Sequence, residues 1–233
     1  MPVDIITKSS ADVINDIQRT FGDESGFQIS TPDIIRWINN AQIEIAGRNP
    51  EILPAIATAN STAGQIDYPL LANVPNVMTL QSVWYRGRPV KNLPYQEAEL
   101  YLFKGDQVQN PTGAPIFWYE RAGVVSFYPG TPDTGTGYVK FVYQKKPDQI
   151  TSASQTLGLP DLYYNAIVDF CLEQAYLLDE NAQLASVAGT KFDQAVTRLQ
   201  NRTNAQSDYY PFITDVDDWV EDTFTGFSGL TGG

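Results

Sequence analysis

The sequence predicts an α+β protein. Its helical bundle is built from both chain ends, an antiparallel β-unit is inserted between the halves, and an extended C-terminal tail follows. Three observations carry this expectation. Apolar residues recur at helical spacing near both ends. From about Ser61 to Pro147 the period shifts to β-branched and aromatic runs broken by Gly and Pro. After Arg202 there is no Lys or Arg, while Asp208, Asp215, Asp217, Asp218, Glu221 and Asp222 follow. The expected boundaries are 1–60 for the N-terminal helices of the bundle and 61–148 for the β-unit. The C-terminal helices then take 149–204 and the acidic-aromatic, partner-binding tail 205–233.

In "SSADVINDIQRTFGD", Val13, Ile14, Ile17 and Phe21 keep helical spacing, Ser9 or Ser10 can cap, and Gly22 can terminate. In "STPDIIRWINNAQIEIAGRNP", Thr31 is the expected N-cap, with Pro32 in the first turn and Asp33 at the positive end of the helix dipole. Ile34, Ile35, Trp37, Ile38, Ala41, Ile43 and Ile45 give that helix a broad apolar face.

The β-unit contains "VMTLQSVWYRGRPVKNL" and "IFWYERAGVVSFYPG", in which "YRGRPV" and "ERAG" should turn one strand into the next. Between them "LPYQEAELYLFKGD" reads as a short helix able to cover a sheet edge. Phe117, Trp118, Tyr119, Phe127 and Tyr128 fall on both faces of the second hairpin because side chains alternate. One face is expected to form core, leaving Trp118, Tyr119 and Tyr128 as a contact face for a neighbouring subunit. Further on, Tyr163 to Leu199 carries two stripes of apolar residues. One continuous helix of about forty residues would reach ~60 Å, too long for a compact domain, so "LDENAQ" should break it.

Composition excludes much chemistry. The 233 residues are 42% hydrophobic and 18% charged, as in a globular chain. No apolar run is long enough to span a bilayer, and "MPVDIITKSS" lacks a signal-peptide layout, so synthesis and assembly in the host cytoplasm are expected. The net charge of −12 disfavours binding to the nucleic-acid backbone. Histidine is absent, which removes Ser–His and Cys–His nucleophile pairs, and no phosphate-binding glycine loop is present. The single cysteine, Cys171, sits between Phe170 and Leu172 and reads as a buried core thiol. No cofactor and no catalytic role are expected.

Three candidate sites remain. Glu97, Glu99 and Glu120 are the nearest to a carboxylate pair of the kind a muralytic enzyme would need, although residues two apart on a helix point in different directions. The preferred reading is a solvated helix face. Asp215, Asp217, Asp218, Glu221 and Asp222 could collect calcium, but "DVDDWVED" lacks the EF-hand spacing and its central glycine. Acids interleaved with Tyr209, Tyr210, Phe212, Trp219 and Phe224 instead suit a segment that orders on a basic partner surface. The hairpin rings also permit a glycan- or receptor-binding module, since Trp and Tyr stack on sugar faces.

The order of motifs resembles the head-to-tail adaptor (connector) proteins of tailed bacteriophages. The resemblance runs through "TPDIIRWINNAQIEIA", "TGAPIFWYERAGVVSFYPGTPD" and "LPDLYYNAIVDFCLEQAY". Its most distinctive residues are Gly113, Pro115, Trp118, Tyr119, Gly123, Tyr128-Pro129 and Pro132-Asp133. The resemblance implies a structural virion protein at the head–tail junction, assembled as a twelve-fold ring. It would dock on the portal, offer its other face to tail, nozzle or fibre proteins, and surround the passing DNA without binding it specifically. It also implies that the C-terminal segment reaches along the portal. Tyr209, Tyr210, Phe212, Asp215, Asp217, Asp218, Trp219 and Phe224 are then the partner-binding residues.

Overall fold

The computed structural model describes residues 7–207, apart from 24, 105, 106, 109 and 110. In chain order it has α1 (Ser10–Phe21), α2 (Thr31–Arg48), β1 (Pro54–Ser61), β2 (Asp67–Pro69), the single turn α3 (Leu70–Asn73), β3 (Val77–Tyr85) and β4 (Arg88–Asn92). Next come α4 (Tyr95–Leu102), β5 (Phe103–Lys104), β6 (Gln107–Val108), β7 (Phe117–Arg121), β8 (Val124–Tyr128) and β9 (Gly135–Lys145). A 3-10 turn at Asp161–Tyr163 leads into α5 (Tyr164–Leu178), and α6 (Ala182–Ser207) follows.

The helices start where short polar side chains can satisfy free backbone N–H groups. Ser9 and Asp12 form a reciprocal capping box on α1, the Asp12 carboxylate accepting from the Ser9 N–H at 2.8 Å. On α2 the cap is Ser30, one residue earlier than expected. Its Oγ accepts from the Asp33 N–H at 3.3 Å, and Thr31 is already helical. Apolar faces then bury Val13, Ile14 and Ile17 on α1, Ile34, Ile38 and Ile45 on α2, and Ile167 and Cys171 on α5. α2 packs against α5, and α1 against both.

Seven strands form one sheet in the order β1-β9-β3-β4-β7-β8-β2, and β5 pairs with β6 separately. Every pairing in the large sheet is antiparallel except β4 with β7, where Lys91 and Asn92 run parallel to Phe117 and Trp118. Both tight hairpins turn through positive φ: Arg86-Gly87 at 49° and 77°, Ala122-Gly123 at 50° and 75°. That geometry matches the strand twist and favours glycine at the second position. Tyr68 on the edge strand β2 meets Phe141, next to the opposite edge, with ring centroids 6.5 Å apart. The sheet must roll into a half-barrel to bring those rings together.

The predicted helical bundle with an antiparallel β-unit inserted between its halves is therefore corrected. The protein is a mixed α+β fold in which a seven-stranded half-barrel has a core of its own beside the helices. The reason lies partly in β1, whose Ala55, Ala57 and Ala59 stand opposite Tyr143, Phe141 and Val139. Small residues facing large ones pack well, but alanine has weak β-propensity and disguises the strand. The parallel step from β4 to β7 joins two hairpins across residues 93–116, a non-local pairing that periodicity does not reveal.

Amide side chains tie sheet and helices together. Gln144 on β9 is buried and its Nε2 donates to the Ala46 and Asn49 carbonyls at 2.7 and 2.9 Å. From α2, Gln42 Oε1 accepts from the Gly158 N–H at 2.6 Å, and Asn39 both donates to the Ile150 carbonyl and accepts from its N–H. The segment between β9 and α5 is thus pinned along α2.

Candidate interaction surfaces

The aromatic hairpin is filled on both faces by the chain itself. Trp118 is 2% exposed and packs in the half-barrel core with Tyr68, Val125 and Phe127, its Nε1 donating to the Val90 carbonyl at 3.1 Å. On the other face, Phe117 and Tyr119 pack under Ala98 and Leu102 of α4. Tyr119 is 8% exposed, and half-buried Tyr128 stacks on Phe117 at 5.0 Å. Trp118 and Tyr119 thus cannot present their rings to a neighbour or a sugar, contrary to the expected contact face. The cover comes from α4, whose i, i+4 pair of Ala98 and Leu102 is small and apolar enough to lie flat on the rings.

The three candidate carboxylates do not converge on a cleft. Glu97 is exposed on α4, and Glu120 is exposed towards the end of β7. Glu99 accepts from the Tyr95 hydroxyl, which pushes the tyrosine pKa up, and Arg121 lies over the same ring at 4.5 Å. A polar depression of about 360 Å³ lies elsewhere, between Arg48, Glu44, Glu173 and Asp193.

Sequence reasoning missed that Arg48 centre. Arg48 bonds Glu44 at 2.8 Å within α2 and Asp193 on α6 at 2.6 Å, and its guanidinium lies over the Phe192 ring at 5.1 Å. Phe192 in turn meets Phe170 of α5 at 5.2 Å. Glu173 sits against the α6 backbone because position 189 is glycine, where a Cβ would lie 2.7 Å from its Oε1. Burial, and then Asp193, raise the Glu173 pKa. The i, i+4 spacing of Glu44 and Arg48 was legible, but their tie to Asp193 spans most of the chain.

Cys171 is fully buried, and burial pushes its thiol pKa up. Among the described residues no group of three or more His, Cys, Asp or Glu could hold a metal ion, and no helix is long and apolar enough to cross a membrane. The tail residues Tyr209, Tyr210, Phe212, Asp215, Asp217, Asp218, Trp219 and Phe224 lie outside the described residues. Large apolar side chains are also exposed, among them Ile56, Leu71, Leu100, Tyr101, Phe103 and Ile116 around the sheet, and Leu177, Leu178, Leu184 and Val187 around the α5–α6 junction.

The comparison with known families places the chain in the class of phage adaptor proteins, structural components of the virion. The family model described as SU10 adaptor protein matches residues 8–215, and the chain belongs to that family. No curated protein matches it.

Proposed function

We propose that this chain is the head-to-tail adaptor of a tailed phage, a non-catalytic subunit that assembles into a ring, twelve-fold as its resemblance implies, between portal and tail or nozzle. The observation that carries the reading is the family match over residues 8–215. The exposed apolar side chains on the sheet and at the α5–α6 junction support it, since a subunit that joins copies and partners needs broad contact surface rather than a pocket. The net charge of −12 suits a conduit wall that repels the passing duplex. In this reading the acidic-aromatic tail grips the portal.

Copurification tests the proposal. The chain mixed with its cognate portal should elute as one complex holding many copies of the chain. Removing residues 205–233 should weaken that complex while leaving the circular dichroism and melting of the body unchanged. An unchanged affinity would remove the tail from the contact. Gln in place of Glu97, Glu99 and Glu120 should alter no activity, and peptidoglycan cleavage lost on those substitutions would replace the structural reading with an enzymatic one.

A further inference from the structure

Directly paired residues on neighbouring strands share a face of the sheet. The inner face takes Ala57, Phe141, Val83 and Val90. The outer face takes Ile56 beside Val142, and Lys140 beside Trp84, which in turn faces Pro89. Lys91 pairs with Phe117, so it belongs to the outer face too. Over β7 and β8 that face is covered by α4. At the far end of β9 the C-terminal end of α2 covers this face over buried Gln144. Over the rest of β1, β9, β3 and β4 it stays open: Ile56 is 63% exposed, Lys91 is exposed, and Trp84, Lys140 and Val142 are half-exposed. Neither lysine makes an ion pair among the described residues.

The open side of α4 has the opposite character. Glu97, Leu100 and Tyr101 lie at i, i+3 and i+4, one stripe of the helix. Leu100 is 77% exposed, and Glu97 has no ion-pair partner among the described residues. One surface therefore offers a carboxylate beside Leu100 and the exposed part of Tyr101, whose ring also rests on Phe117 at 5.3 Å. The other offers two cations beside Ile56, Trp84 and Val142. Within one chain, the inner side of α4 already lies on the same outer sheet face, so a helix fits its curvature.

The geometry points to a second copy of this chain as the occupant: the outer stripe of α4 from one subunit lies on the open sheet face of the next. This assignment rests on the ring reading above and deepens it by naming the two flanks. The contact is heterologous, because stripe and sheet face are different surfaces, and such contacts propagate head to tail until they close. Charge complementarity fixes the direction of the contact, and the apolar residues supply its buried centre.

Two charge-reversed variants test it. Lys91→Glu with Lys140→Glu makes both flanks acidic, and Gln96→Lys with Glu97→Lys makes both basic. All four positions reach solvent, and matching thermal midpoints with the parent chain check the fold. Sedimentation velocity then follows assembly of the full chain, alone and on the portal. Each variant alone should lose at least about tenfold in association, because like charges now meet at every contact. An equimolar mixture should recover assembly with the variants alternating. Variants that each assemble like the parent would overturn the flank assignment while leaving the ring intact. Parent and mixture that both stay monomeric, with and without portal, would overturn the flank assignment and the ring together.

Discussion

Trp118 separates a ring used inside the fold from one offered to a partner. It is 2% exposed, and its Nε1 donates to the Val90 carbonyl at 3.1 Å, stitching β7 to β4 at the one parallel step of the sheet. Trp118→Ala removes a buried indole from the half-barrel core and is expected to cost ~3–5 kcal/mol. Trp118→Phe keeps an aromatic filler but removes the indole hydrogen bond to the Val90 carbonyl, an expected cost of about 0.5–1.5 kcal/mol. Urea titration followed by far-ultraviolet circular dichroism reads both. With a slope of about 2 kcal/mol/M, typical of small domains, the alanine variant should unfold roughly 2 M earlier. The phenylalanine variant should fall between it and the parent. Full stability in Trp118→Ala together with lost self-association would refute the reasoning, because the ring would then be serving an interface.

Two further outcomes follow from buried polar and thiol groups. Asp23 accepts backbone N–H groups from Ile29, Phe27 and Gln28, which hold its pKa below the usual 3.8. A depressed folded pKa stabilises above the unfolded value and is lost as pH falls through the folded one. The loop after α1 should therefore loosen below about pH 4, seen as faster amide exchange at residues 27–29, and Asp23→Asn should flatten that acid response. Cys171 should ignore a thiol reagent in the native protein and react fully in denaturant. Rapid native labelling would contradict its burial.

The helices were largely legible because caps and apolar spacing are local signals, as Ser9, Asp12 and the isoleucines of α2 illustrate. The break between α5 and α6 was legible from length alone, and it falls between Leu178 and Ala182. The sheet was under-read for non-local reasons. β1 hides behind alanines, and the parallel β4–β7 pairing leaves no period in either strand. The expected contact face joined Trp118 to Tyr119 and Tyr128, whereas alternation puts Trp118 on the face opposite the other two, and it does not tell what covers each face. That depended on α4 folding back, a tertiary event carried by Ala98 and Leu102. The family resemblance reached the general class, a phage adaptor, where the residues alone left it open.

Native mass spectrometry of the purified chain with its cognate portal tests the central claim most directly. The account predicts one discrete complex in which many copies of the chain ride on a single portal ring, whether the chain assembles alone or only on docking. A chain that stays monomeric beside an untouched portal would contradict it.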